Sequence, residues 1–211
     1  MAGAKEIKNK SHYPELWNIT ENLCITAGLK MPKLYIINDN APNAFATGRN
    51  EEHAVVAVTQ GLLNILNKSE LEAVIAHELS HIGNKDMLLQ TAVVVISGAI
   101  AVLADIFLRV SMFGNDRENK SPVIIIIAVL ASILLPIAAT IVQLAISRKR
   151  EFLADTSAVL LTRYPEAMAN ALLKISNSPV ELRHQNPAMN HIYFFDPVKG
   201  LNGEGDSNKV S

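Results

Sequence analysis

With 211 residues, 49% of them apolar and 18% charged, the chain is too apolar for an ordinary soluble domain and too charged to lie wholly within a bilayer. A soluble part interrupted by membrane spans is expected. A formal net charge of −1, with no basic stripe, excludes nucleic acid as the expected partner, and the single cysteine, Cys24, excludes an internal disulfide and suits a reducing compartment.

The first thirteen residues are polar, carry Lys5, Lys8 and Lys10, and lack the apolar stretch of a signal peptide. Helical spacing of Leu16, Trp17, Ile19, Leu23 and Ala27, opened by Pro14 and closed near Gly28, predicts an amphipathic helix over residues 14–29. Cys24 falls within it as a small buried hydrophobe. Two β-branched runs, residues 33–38 and 53–59, predict strands on either side of a loop over residues 39–52, which is rich in the turn formers Asn40, Pro42, Asn43, Gly48 and Asn50. Residues 61–66 predict a short helix. Ser69 followed by Glu72 has the spacing of a capping box, so a helix is expected through Leu71, Val74, Ile75, Leu79 and Ile82, stopped by Gly83.

Residues 87–104 and 122–146 carry no charge and are long enough to cross roughly 30 Å of hydrocarbon. The second is apolar on every face, so two transmembrane helices are expected rather than buried core helices. Asp105 and Arg109, four apart, neutralise one another at the far interface. The polar stretch 114–121 then forms the hairpin turn, which returns both outer ends to one side. Lys85, Arg148, Lys149 and Arg150 lie on that side, and the positive-inside rule favours a cytoplasmic soluble part. Past the basic cluster residues 151–161 are expected to continue the helix out of the membrane, and a further helix is expected over 165–175, opened by Pro165. Residues 199–211 have the composition of a flexible tail. The expected organisation is thus 1–86, a first catalytic part; 87–147, the hairpin; 148–198, a second catalytic part; and 199–211, the tail.

The chemistry is carried by His77-Glu78-Leu79-Ser80-His81. Two histidines four apart on a helix direct their imidazoles to a single metal, while Glu78, about 100° around the helix, reaches a water without ligating. That division of labour suits peptide hydrolysis, with metal polarising the carbonyl and Glu78 moving the proton. A catalytic zinc takes three protein ligands and keeps a position for water. Glu151 is the leading candidate for the third, because the hairpin returns it to the side of His77 and His81. Asp155, one turn further, is placed to orient a ligating imidazole.

Together with Asn43-Ala44-Phe45-Ala46-Thr47-Gly48 and Arg148-Lys149-Arg150-Glu151-Phe152-Leu153-Ala154-Asp155, this segment resembles the HtpX membrane metalloproteases, relatives of the CAAX prenyl endopeptidase. The resemblance covers nearly the whole chain. It implies an α+β, mainly helical gluzincin-type fold with a small β-sheet and an inserted transmembrane hairpin. It also implies one Zn2+ per chain on His77, His81 and Glu151, Glu78 as base, and Asp155 behind the ligands. The implied setting is the inner (plasma) membrane, multi-pass, with the catalytic part facing the cytoplasm. The implied partners are the bilayer and protein substrates, mainly membrane proteins under quality control. Family members carry a further transmembrane pair before this segment and continue beyond Ser211, so the resemblance implies a fragment.

Residues Asn43, Ala44, Phe45 and Ala46 could offer an exposed edge to an extended substrate, or form an ordinary turn; the resemblance favours substrate contact. His191 and Tyr193 are candidates for donating a hydrogen bond to the oxyanion, although such residues more often pack or cap. A site-specific protease of prenylated substrates, and a scaffold holding zinc structurally, are the competing readings.

Overall fold

The structure is a computed structural model and describes residues 3–113 and 122–179. The chain divides into two compact units, Asp86–Leu153 and the remainder on either side of it.

The larger unit is built on a four-stranded mixed sheet flanked by helices. Its strands are β1 (Ala4–Glu6), β2 (Lys33–Ile37), β3 (Ala44–Thr47) and β4 (Val55–Thr59), in the order β1-β2-β4-β3. β2 and β4 are parallel, with Leu34 opposite Val56 and Ile36 opposite Val58; β1 and β3 run antiparallel on the two edges. β2 alternates buried and more exposed residues, as a strand with one covered face does. Residues 56–59 of β4 are all buried, as befits a central strand.

Helix α1 (Pro14–Ala27) ends on Gly28, whose φ of 68° gives the left-handed turn that lets its N–H cap the carbonyls of Cys24 and Ile25. Burial pushes the Cys24 thiol up to about 11, which leaves it protonated and inert. A short helix α2 (Gln60–Ile65) follows β4 directly, N-capped by the Thr59 hydroxyl. Gly61 is needed there because a Cβ would stand 2.0 Å from the carbonyl oxygen of Asn40.

Helix α3 (Lys68–Gly83) is the centre of this unit. It packs against α1, β3 and α6 (Pro165–Ser176), and every residue from Ala73 to Ser80 is buried. Its cap lies two residues earlier than the Ser69–Glu72 spacing suggests. Asn67 accepts from the Glu70 N–H at 3.0 Å, and the Glu70 carboxylate accepts from the Asn67 N–H at 2.8 Å. Ser69 instead lies in the first turn and donates to Asn67 Oδ1. Gly83 ends the helix without a left-handed turn; that conformation falls to Lys85, at φ 58°. A strand also lies inside the expected 39–52 loop, since β3 occupies four of its residues.

The smaller unit holds α4 (Asp86–Phe113) and most of α5 (Pro122–Thr162). Both are long and apolar enough to cross a membrane, and only 6% of each apolar window is buried. Ala104 and Ala128 are buried, while Val95, Leu103, Ile126 and Ile141 are more than half exposed. Asp105 and Arg109 form the expected pair at 2.7 Å. Residues 114–121, expected as the hairpin turn, lie outside the described residues, as does the tail over 199–211.

Glu70 does more than cap. Its carboxylate also accepts from Lys174 Nζ on α6 at 2.8 Å, joining the start of α3 to the unit's last described helix. Burial pushes this carboxyl up, but the hydrogen bonds from Lys174 and the Asn67 N–H outweigh it and hold the group below its ordinary value. A depressed carboxyl contributes stability above its unfolded value and loses it as the pH falls through the folded one. Lys174→Met should therefore cost about 1–2 kcal/mol at pH 7, the range of a charge-assisted bond with one exposed partner. The difference from the parent should close below the ordinary carboxyl range of about 4.3. Thermal unfolding of the full chain in detergent at pH 7 and pH 3 checks this; an equal gap at both values would remove Glu70 from the acid limb.

Candidate functional site

The second half of α3 carries three ionisable side chains into the interior of the larger unit. His77 and Glu78 keep 2% and 4% of their surface exposed; His81, one turn on, is half-buried. The four-residue spacing brings the two imidazoles together edge to face, with Nε2 of His77 and Nε2 of His81 3.1 Å apart. Asp155, on the part of α5 that belongs to this unit, places Oδ1 2.9 Å from Nδ1 of His77. A proton on Nδ1 would face that carboxylate, and Nε2 would then present its lone pair toward His81. Two converging ring nitrogens, one backed by a carboxylate, make a natural pair of donors to a metal ion.

Glu78 is tethered to the sheet. Its Oε2 accepts a hydrogen bond from the backbone N–H of Ala46 at 2.7 Å. Ala46 sits in edge strand β3, and a residue of an antiparallel edge directs its N–H and C=O to the same side. The outer edge of β3 is therefore turned toward α3. Thr59 holds the other end of β3: its hydroxyl accepts from the Asn43 N–H at 2.8 Å and donates to the Asn43 carbonyl. The same oxygen caps α2, so one hydroxyl fixes the start of β3 and the start of a helix together.

Of the residues singled out from the sequence, His77, Glu78, His81, Asp155 and Ala46 meet within the larger unit. Asn43, Ala44 and Phe45 are buried and Ala46 is only half-buried, so the accessible part of the 43–46 segment is its end beside Glu78. The Asn43 amide makes no hydrogen bond among the described residues. Glu151 lies on α5, one turn before Asp155 on the same helix face. His191 and Tyr193 lie outside the described residues. Sequence reading missed the Ala46 N–H, because a backbone donor carries no residue signature.

Paired imidazoles beside a carboxylate tethered to a neighbouring strand serve one common chemistry, the metal-assisted attack of water on a peptide bond. The class is that of the metallopeptidases. More narrowly, the chain belongs to peptidase family M48, whose model matches residues 10–197. It is 47% identical over 199 residues to a protease HtpX homolog of Tropheryma whipplei, covering 94% of this chain and 68% of that relative. An HtpX homolog of Pyrococcus furiosus is 48% identical over 198 residues, with 92% and 68% covered; one from Limosilactobacillus reuteri is 44% identical over 214 residues, with 99% and 72% covered. The chain thus spans about two thirds of the length of these relatives. Its fold is similar to that of S. mikatae Ste24p, with a TM-score of 0.55 at 23% identity, over 90% of this chain and 48% of that one. Membership makes the chain a metal-dependent protease with protein substrates, and the helical fold with its small sheet agrees with the architecture expected from the sequence.

Replacing Ala46 by proline removes the N–H that holds Glu78 without breaking a β3–β4 ladder bond, since that N–H faces away from β4. A buried carboxylate that loses a charge-assisted partner should cost about 1–3 kcal/mol. Thermal unfolding of Ala46→Pro beside Ala46→Gly, which keeps the donor, measures it; equal loss in both variants would deny the bond that role.

Proposed function

We propose that the chain is a zinc-dependent endopeptidase that cleaves membrane and misfolded membrane-associated proteins. His77, His81 and Glu151 are its ligands to one Zn2+, Glu78 its proton carrier, and Asp155 the group that orients His77. The observation that carries this reading is the 3.1 Å approach of the two Nε2 atoms. Two nitrogens on one tetrahedral zinc, each at about 2.0–2.1 Å, stand roughly 3.3–3.4 Å apart, so the pair is preset within a few tenths of an ångström of that spacing. His77, His81 and Glu151 each offer one ligand atom. Helix α5 is continuous through Glu151 and Asp155, and the contact of Asp155 with His77 supports placing Glu151 on the face that serves the metal. Three protein ligands leave a coordination position for water.

Zinc, when bound, supplies a Lewis acid that polarises the scissile carbonyl and lowers the pKa of an attached water. The rest falls to the chain. Glu78, tethered through Oε2 to Ala46, accepts a proton from the attacking water and then delivers it to the departing amine. Asp155 holds His77 in the tautomer that presents Nε2. An extended substrate adds to the outer edge of β3 at Ala46, next to the tether of Glu78, with Asn43, Ala44 and Phe45 forming the strand behind it. The apolar, exposed surfaces of α4 and α5 support a bilayer around the smaller unit. The basic residues Lys85, Arg148, Lys149 and Arg150 support a cytoplasmic catalytic part in a multi-pass inner-membrane protein.

Glu78→Gln should retain zinc and lose cleavage of an unfolded membrane-protein substrate by about 10²–10⁴-fold. Asp155→Ala should instead weaken zinc by about 10–100-fold. Zinc content and cleavage by the full chain, with chelator and after zinc is restored, separate the two; a folded, zinc-supplied parent that holds no zinc would sink the proposal.

A further inference from the structure

At the base of the apolar hairpin three basic residues follow one another, and they are treated differently. Arg148 and Lys149 are exposed, whereas Arg150 keeps only 16% of its side chain in solvent. Nη1 of Arg150 donates to Oε1 of Gln90, in the second turn of α4, at 3.1 Å. Nη2 stands 3.4 Å from Oε1 of Glu151. Nε is buried with no hydrogen-bond partner among the described residues. All three residues belong to the smaller unit. A guanidinium taken this far out of water, with one donor left unsatisfied, is costly to hold. A surface arginine two positions earlier avoids that cost by facing solvent.

We propose that Arg150 is a positioning residue for Glu151, braced from α4 by Gln90; this rests on the reading of Glu151 as a metal ligand. A glutamate carboxylate on an exposed stretch of helix samples several rotamers, and a metal that must fix it loses affinity to that freedom. The Arg150 fork restricts it beforehand. The contact is long and one-sided, so it orients the carboxylate without competing for both oxygens. Gln90 serves as the brace by accepting from Nη1, which fixes the plane of the guanidinium. Lysine cannot substitute, since a single ammonium lacks the planar fork that serves Gln90 and Glu151 at once. The outcome is that the first turns of α4 help to set the third ligand.

The test uses the full chain in lipid nanodiscs, with zinc affinity read by chelator competition and ligand geometry by the visible spectrum of the Co2+ form. Arg150→Met should bind zinc about 10–100-fold more weakly, as loss of a group supporting a ligand does, with an altered Co2+ band and unchanged helix content. Arg150→Lys should recover little of this. Gln90→Leu should weaken zinc several-fold, Gln90→Glu, which keeps the acceptor, should restore the parent value, and Arg150→Met with Gln90→Leu should be no weaker than Arg150→Met alone. If Arg150→Met fails to fold, the two Gln90 variants decide. Parent affinity and spectrum in both Arg150→Met and Gln90→Leu, while Glu151→Gln loses zinc, would overturn this proposal and leave Glu151 a ligand. Parent affinity in Glu151→Gln would overturn the ligand reading and this proposal with it.

Discussion

Glu78 and His77 lie side by side in the buried stretch of α3, and neither can be left unsatisfied there. An unpaired buried carboxylate or imidazole costs several kcal/mol, so each must find a fixed partner in the protein. Glu78 finds the Ala46 N–H on β3 and His77 finds Asp155 on α5. These partners come from opposite ends of the chain. The sheet order that leaves β3 on an edge and the length of α5 beyond its apolar stretch are what bring them to α3. Burial of α3 through contacts with α1, α6 and β3 is therefore the condition of the site, and the Lys174–Glu70 bridge secures the far end of the same helix.

Helix α5 has two tasks that are separated along its length. Residues 122–146 are apolar, and the helix continues to Thr162 without a break. Pro136, which forgoes one intrahelical hydrogen bond, lies well inside the apolar part. Between Glu151 and Asp155 nothing interrupts the 3.6-residue period, so a contact made by one constrains the direction of the other. A kink or an inserted residue in that turn would rotate Glu151 away from the face Asp155 uses. Lys85, in a left-handed conformation that disfavours side chains by about 1–2 kcal/mol, makes the corresponding turn between α3 and α4.

How much of this could be read from the residues depended on whether the information was local. The helices α1 to α6 were legible because their apolar periods and flanking Pro14, Pro165 and Gly28 act within a few positions. The spacing of His77, Glu78 and His81 gave the chemistry directly. The capping box was displaced because Asn67 and Ser69 both precede a glutamate at the right interval, and only packing against Lys174 selects the Asn67–Glu70 pair. Strand β3 was hidden by turn formers on both sides of its four residues, and β1, with its charged Lys5 and Glu6, had no alternation to show. The tether from Ala46 and the inward turn of Arg150 were not legible at all. The first uses a backbone group, and the second depends on the phase of α5 against α4. His191 and Tyr193 fall outside the described residues, and the structure leaves their role where the sequence put it.

The position of Glu78 also bears on whether such a site stores a metal or uses one. A structural zinc is closed by a fourth protein ligand, and Glu78, next to His77, is the nearest carboxylate in sequence that could close it. Its Oε2 is held on the Ala46 N–H, which limits how far the carboxylate can swing toward a metal on His77 and His81. The tether therefore works against closure and in favour of an open position. It has a second effect, because the carbonyl of Ala46 faces the same edge as the N–H that Glu78 occupies. A peptide adding to that edge would meet the strand at the residue that holds the proton carrier, so substrate placement and the position of Glu78 are coupled through one residue of backbone.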